Sequence, residues 1–430
     1  MATDVLVIGG GGREHALAWK LKQSPRIGKL YIAPGNGGTL ALGENVPIGV
    51  MEFKKLADFA EEKNIHLTVV GPDDPLAGGI VDFFRARGLR IFGPEYKAAQ
   101  LESSKSFSKQ LMRDVGVPTA AFKIFSSYTA ASAYVQQHSL PVVIKASGLA
   151  LGKGVYICNT VAEADAVLRA IIIDRVHQGA GDEVIVEEYL NGPEVSVHAL
   201  TDGFASLLFP PSQDHKRALD GDQGENTGGM GAIAPLPWVG PQMLSDIEKY
   251  VVRPVLDALL ARGIQFSGLL YPGLKITPDG IKVLEFNARF GDPECQVYMR
   301  LLKSDILDAL EACADGRLIG SNITLEWNKG FAVNIVIASG GYPGEYKKGL
   351  PITGIEEAEK VDGVVVFHAG TMIDLRNQSL VTSGGRVLGV SAVGDTLKDA
   401  LDRAYEAVGK IHFEGMHFRR DIGAKALAQK

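Results

Sequence analysis

The ten residues EFNARFGDPE, 285–294, constrain this chain more tightly than any others. They follow GIKVL (280–284), a run with the character of a strand. Side chains two positions apart leave a strand on one face. Glu285 and Asn287 therefore aim a carboxylate and an amide oxygen at one point, with Arg289 beside them if the strand continues. Two such oxygens suit a hard divalent cation, Mg2+ or Mn2+, that keeps waters and shares phosphate oxygens with a nucleotide. An arginine next to that cation completes a phosphate clamp. Taken alone, E-x-N is equally a polar strand end with a surface ion pair, so its weight comes from what precedes it.

Two earlier segments supply that weight. Lys145 stands near the end of the strand-like PVVIKA (141–146), and the loop SGLALGKGV (147–155) follows with Gly148, Gly152, Lys153 and Gly154. Glycines let backbone N–H groups approach phosphate, and a strand lysine neutralises it. The spacing fails the G-x-x-x-x-G-K-[ST] pattern of the Walker loop. It matches instead a kinase-like division of labour, with a Gly-rich hairpin over the phosphates and a lysine on a neighbouring strand. About forty residues on, DEVIVEEYLNGPEV (182–195) reads as a strand ending in Glu187, Glu188, Tyr189 and Leu190 and turning at Asn191–Gly192–Pro193. Such a hinge can offer backbone groups to an adenine edge, and Glu194 can accept from ribose hydroxyls; the alternative is an acidic strand end facing solvent. Lys105 lies earlier still, at the start of the capped helix SSKSFSKQLMRDVG (103–116).

At 430 residues the chain can bury several cores, and length alone suggests about three domains. Hydrophobic content of 46% with 22% charged residues is that of an ordinary globular protein. A net charge of -6 argues against a general nucleic-acid binder. The three cysteines, Cys158, Cys295 and Cys313, make neither a disulfide framework nor a metal pattern and fit a reducing, cytoplasmic setting. Cys295 falls inside the informative segment, but no local histidine is spaced to activate it. The amino terminus enters a strand at once, without a charged leader, and no apolar run reaches membrane-spanning length, so no membrane partner is expected.

The first hundred residues alternate strand and helix: DVLVIGG, EHALAWKLK, KLYIAPG, FKKLADFAEEKN, HLTVVGP, IVDFFRARG, LRIFGP. This order predicts a doubly wound parallel sheet with ligands at the carboxyl ends of its strands, where GGGGREH (9–15), APGNGG (33–38) and GPDDPL (71–76) fall. A dinucleotide fingerprint needs a third glycine where Glu14 stands and an acidic end to the second strand, where Ala33-Pro34-Gly35-Asn36 stands instead. NAD binding, and with it an oxidoreductase, is disfavoured; a helix N-terminus behind glycines still suits a phosphorylated small substrate. Downstream, 244–263 and 294–316 each read as one helix, and the tail carries strands 331–339, 364–370 and 385–393 before a helix over 396–411.

The order Lys105, Lys145, Gly loop, hinge and Glu285/Asn287 resembles the ATP-grasp fold, in which two α+β lobes close on ATP. The resemblance implies a doubly wound amino-terminal domain over 1–103, a two-lobed ATP-grasp domain over 104–325 with a mobile lid at about 122–192, and a small α+β domain over 326–430. Across its whole length the chain is similar to the phosphoribosylamine–glycine ligase family of purine biosynthesis. The matching stretches are GGREHALAWKL (11–21), APGNGGT (33–39), GPDDPLAGGIVD (71–82), IKASGLALGKGV (144–155), VEEYLNGPEVS (186–196), QDHKRALDGDQGENTGGMGAIAP (213–235) and LEFNARFGDPECQ (284–296). That family joins glycine to 5-phosphoribosylamine with ATP, through glycyl phosphate.

By the same resemblance, Glu285 and Asn287 would hold the metal, and Lys105, Lys145 and the Gly loop the phosphates. Lys216 and Arg289 would offset developing charge. Glu187, Glu188, Tyr189 and Leu190 would read adenine and Glu194 the ribose, with Asn226 near the phosphates. Gly11, Gly12, Glu14, His15, Asn36 and Gly37 would serve phosphoribosylamine. Asp214 and Asp292 are candidates for the glycine ammonium, Asp292 standing with Lys216 and Arg289 in the catalytic set. Asp73 departs from the family, which more often has glutamate there. His15 opens a helix, where an imidazole commonly bonds locally, and Met230 reads as packing. The competing enzyme of the same fold is a carboxylase that activates bicarbonate. The expected partners are ATP, glycine and phosphoribosylamine, with a transient contact to the enzyme supplying the last.

Overall fold

A computed structural model describes residues 2–150 and 154–428. Its first unit is a parallel sheet of β1 (Thr3–Gly9), β2 (Ile27–Pro34), β3 (Glu44–Asn45), β4 (Leu67–Val70) and β5 (Ile91–Phe92), in the order β3-β2-β1-β4-β5. β1 is central because both its faces are apolar: Val5, Leu6, Val7 and Ile8 are all buried. The strand order reverses beside it, so the crevice at its carboxyl end opens between Gly9, Gly35 and Gly71. The helix Gly12–Leu21 starts there.

The predicted capped helix runs over Lys105–Val115, with Ser104 Oγ accepting the Phe107 N–H at 3.3 Å and Gly116 stopping it at φ 72°. An antiparallel sheet follows, of β6 (Phe122–Phe125), β7 (Val142–Ala146), β8 (Val155–Cys158) and β9 (Val184–Glu188), ordered β6-β9-β7-β8. The helices Tyr128–Val135 and Val161–Leu168 close this lobe over its own small core, which includes Phe125, Ile144, Leu168 and Val186. The expected Gly152 and Lys153 of the phosphate loop lie outside the described residues.

A third sheet is built on the long hairpin Gly268–Thr277 and Gly280–Asn287, flanked by Glu194–Ser196 and Ala199–Thr201. A fourth joins the middle of the chain to its end: Gly231–Ala234 pairs antiparallel with Phe331–Ala338, which pairs with Arg386–Gly394. The sheet of the carboxy-terminal segment is therefore continued by a strand from the middle segment. The hairpin Arg217–Leu219 and Gln223–Asn226 pairs only with itself.

Three local expectations differ. The helix read over 294–316 is two, Glu294–Leu301 and Ile306–Ala314; Asp305 starts the second by accepting the Leu307 N–H at 3.0 Å. Apolar periodicity runs through the break because both pieces face the core, and so conceals it. The helix over 244–263 is interrupted: a π turn at Glu248–Val252 separates Pro241–Ile247 from Arg253–Ala261, which takes Pro254 in its first turn. The strand bearing Glu285 stops at Asn287, and Arg289 reaches the site from a bend. No helix among the described residues is long and apolar enough to cross a membrane.

Asn36 ties the first sheet to the last. Its amide donates to Gly10 O at 3.0 Å and His368 O at 2.9 Å, and its Oδ1 accepts from the Gly38 and Thr39 N–H groups. Asn36→Ala strands these buried partners and is expected to lower stability by roughly 2–4 kcal/mol; urea unfolding followed by tryptophan fluorescence measures it.

Candidate active site

A cavity of about 810 Å³ opens between the antiparallel lobe and the sheet carrying Glu285. Lys105, Lys145, Lys216, Glu285, Asn287 and Arg289 all line it, so cations from two early segments and the oxygens of the late strand share one space. Leu190, Glu194, Asn226 and Gly154 line it too.

The charges are interlocked. Lys216 Nζ lies 3.3 Å from Glu285 Oε1 and 3.9 Å from Glu194 Oε2, and Lys275 pairs with Glu194 at 3.2 Å. Burial pushes the Glu285 carboxyl up, but Lys216, Lys145 and Lys105 outweigh it and hold it at about 2. Burial lowers Lys216, yet Glu285 and Glu194 raise it further than burial lowers it. Burial depresses Lys105, with Glu285 opposing. Glu285 is thus an anion, and Lys216 a cation, throughout the neutral range.

Deeper in the lobe Glu187 sits between two lysines, paired with Lys145 and lying 2.6 Å from Lys109 Nζ. Lys109 also donates to Thr119 Oγ1 at 2.7 Å, and burial pushes its ammonium down to about 8 against the pull of Glu187. The Glu187 carboxylate is therefore engaged with lysines, and residues 187–190 line the cavity. Glu188 Oε1 accepts the Ala121 N–H at 2.9 Å, and Tyr189 lies 5.8 Å under Lys275. Lys109 was not singled out in the sequence, although its i+4 spacing from Lys105 puts both on one helix face.

Arg289 donates to Asn287 Oδ1 at 3.1 Å and pairs with Glu102 at 2.7 Å. Burial lowers its guanidinium, and Glu102 and Asp73 more than restore it. Asp73 lines the cavity, and its carboxyl stays below the usual range because Arg289 and Arg13 outweigh burial. The donor set fits a hard divalent cation: an ionised Glu285 and a neutral amide oxygen. No cluster of three or more acidic, His or Cys ligands occurs among the described residues, so phosphate and water would complete the shell.

A second cavity of about 400 Å³ lies between Gly10, Gly11, Asn36, Thr371 and Ser383. Asp292, Tyr342 and Arg386 line both cavities and so form the wall between them. Arg386 pairs with Asp292 at 3.2 Å, and with Arg13 it holds the Asp292 carboxyl low against burial. Arg386 is out of reach of sequence reasoning, since only the fourth sheet brings it here. Asp214 lines the main cavity with its Oδ1 buried and unpartnered; burial and the neighbouring Glu294 push its carboxyl well up.

Several expected substrate residues turn inward. Glu14 Oε2 accepts the Gly11 N–H at 2.6 Å, Oε1 takes Arg13 Nε at 2.6 Å, and a Cβ at Gly9 or Gly71 would strike its side chain. That carboxylate fills the place a dinucleotide pyrophosphate would need. His15 Nδ1 accepts the His368 N–H at 2.8 Å, and burial pushes its ring down to about 3. Gly37 donates to Thr371 O at 3.1 Å, and Gly12 abuts Gln296. Gly148 donates to Ala180 O at 2.9 Å, and its carbonyl accepts from the cavity-lining Lys105 Nζ at 3.2 Å. Met230 is packing, fully buried. All three cysteines are buried, and burial raises each thiol, so none is a ready thiolate.

A two-lobed nucleotide cavity with lysines from two segments and an acid–amide pair on a late strand defines an ATP-grasp ligase. The chain matches the Phosphoribosylglycinamide synthetase N domain over 3–102, its ATP-grasp (A) domain over 103–295 and its C domain over 332–425. It belongs to the phosphoribosylglycinamide synthetase family. The phosphoribosylamine–glycine ligase of Caldanaerobacter subterraneus subsp. tengcongensis is 49% identical, over 98% of this chain and 99% of that one. The trifunctional purine biosynthetic protein adenosine-3 of Gallus gallus is 48% identical over 100% of this chain, which covers 43% of that protein. The crystal structure of the Thermotoga maritima phosphoribosylamine–glycine ligase superposes with a TM-score of 0.85 at 33% identity, covering 97% of this chain and 100% of that one. A biotin carboxylase domain of Hydrogenobacter thermophilus, at 18% identity and a TM-score of 0.72 over 97% of this chain and 92% of that one, shares the fold alone.

Because Glu285 titrates at about 2 in the folded chain against an ordinary 4.5, its ion pairs stabilise fully above pH 4.5 and fade as pH falls toward 2. The stability gap between the natural protein and Glu285→Gln should follow that course, as urea titrations at stepped pH would read out.

Proposed function

We propose that the protein joins glycine to 5-phosphoribosylamine, with ATP cleaved to ADP and phosphate, in the large cavity and across its wall into the second. A glycine carboxylate oxygen attacks the γ-phosphorus and the bond to ADP breaks, giving glycyl phosphate. The amine of phosphoribosylamine then attacks the acyl carbon, the bond to phosphate breaks, and the amine loses a proton. No enzyme nucleophile is required.

Catalysis is by placement and charge. Lys105 and Lys145 bind the triphosphate, and Lys216 and Arg289 face the transferring phosphoryl group. Glu285 and Asn287 hold the divalent cation, Mg2+ or Mn2+, which when bound neutralises phosphate charge. The main chain of 188–190 faces adenine, and Glu194 accepts from ribose. Asp214 and Asp292, which both line the main cavity, are the candidates to meet glycine's ammonium. Asp292 and Arg386, common to both cavities, stand where acyl phosphate and amine must meet. The observation that carries this reading is the convergence of Lys105, Lys145, Lys216, Glu285 and Arg289 on one cavity that shares a wall with a second.

ADP release in a coupled assay should require glycine, and labelled glycine with freshly generated phosphoribosylamine should yield glycinamide ribonucleotide by mass spectrometry. Turnover indifferent to glycine, or supported by bicarbonate, would favour the carboxylase alternative. Glu285→Ala should leave a folded protein slowed by about 10²–10³-fold, a loss only partly recovered at high Mg2+; near-normal rates at limiting Mg2+ would remove the metal role.

A further inference from the structure

The hairpin Arg217–Leu219 and Gln223–Asn226 has no strand neighbour, yet the segment it belongs to brings Lys216 and Asn226 to the cavity wall. An isolated two-stranded ribbon is at best marginal in water. What fixes this one comes about two hundred residues later, in FRRDIGAK (418–425). Arg419 is the largest fully buried side chain among the described residues, 1% exposed. Its Nε and Nη2 donate to Asp421 Oδ1 and Oδ2, both at 2.8 Å. Nη2 also meets Asp222 Oδ1 at 2.8 Å, and Nη1 donates to Arg217 O at 3.1 Å.

The neighbours repeat the attachment. Asp421 Oδ2 accepts the Gly221 N–H at 2.8 Å, Asp220 accepts the Arg420 N–H at 2.7 Å, and His215 Nε2 accepts the Gly423 N–H at 3.1 Å. Lys425 pairs with Asp222 at the cavity edge. Neither Arg419 nor Asp421 lines either of the two cavities described above. A guanidinium is stable out of water only when its donors are answered, and a bidentate carboxylate with a carbonyl answers them in one geometry. The hairpin is thereby held at its first strand and at its turn.

We propose that Arg419 is a positioning residue of the reaction. Through Asp222, Asp421 and the Arg217 carbonyl it sets the hairpin that presents Lys216 and Asn226 to the triphosphate, while touching no substrate itself. This rests on the role given to Lys216 above. A shift of about 1 Å in a charged group can cost about 10²-fold in rate, so the effect is read in the kinetics of the folded protein.

The test is a double-mutant cycle on the full chain, reading kcat and KM for ATP by ADP release, with near-UV circular dichroism to establish folding. Arg419→Met and Lys216→Met should each lower kcat/KM by about tenfold or more. The double variant should fall within about threefold of Lys216→Met alone, because the two act through one group. Arg419→Lys, which keeps the charge but not the fork, should lie between. An Arg419→Met enzyme at the natural rate, or losses that multiply in the double variant, would overturn the proposal. If Lys216→Met alone runs at the natural rate, the role of Lys216 is what fails, and the same cycle with Asn226→Ala decides whether Arg419 positions that end of the hairpin. If Arg419→Met does not fold, Asp421→Asn takes its place in the cycle under the same criteria.

Discussion

The site depends on a charge constraint: cations that must meet a triphosphate have to be kept charged and in place before it arrives. Lys145 is close to fully buried, and Lys105 and Lys216 are half-buried. Burial alone would discharge or expel such groups. Each is therefore given a carboxylate: Glu187 for Lys145, Glu285 for Lys105 and Lys216, and Glu194 for Lys216 and Lys275. These carboxylates stay ionised because the lysines outweigh burial. The arrangement is reciprocal, and removing either sign leaves the other uncompensated in a low-dielectric place.

Reciprocity also suggests how the site trades partners. Glu187 is held by two lysines, and Lys109 is further fixed by donating to Thr119. Were Lys145 to turn toward phosphate, Lys109 would still neutralise Glu187, so no bare carboxylate would be left in the lobe. The same logic applies to Arg289, balanced by Glu102 and Asp73. Charge can be lent to a ligand only where a second partner remains behind.

Much of this was legible before any coordinates, and for a physical reason. Strand alternation places Glu285 with Asn287, and the parallel βαβα order places the Gly loops at one sheet edge. Both are local rules acting on short segments. What escaped was non-local or ambiguous. Glu14 looked like a ligand because it sits at a helix start behind glycines, whereas it satisfies the Gly11 N–H itself. His15 opens a helix, where a local bond is the common case, but its partner is the His368 N–H, which only the last sheet supplies. The break at Asp305 hid beneath an unbroken apolar face. Arg386 and Arg419 lie in the tail and reach the site only because Gly231–Ala234 pairs with Phe331–Ala338.

That pairing gives the carboxy-terminal segment a role beyond covering the core. It carries Arg386 to the wall between the cavities and sets FRRDIGAK under the hairpin of Lys216. The two cavities thus have a common support in the carboxy-terminal segment: Arg386, on the sheet, holds Asp292, and Arg419, beyond the sheet, holds the hairpin that follows Lys216. A reaction that makes an acyl phosphate in one cavity and consumes it from the other must keep the distance between them constant. A separate domain at each cavity would leave that distance to a flexible interface. A shared antiparallel sheet, hydrogen-bonded through its middle, removes that freedom.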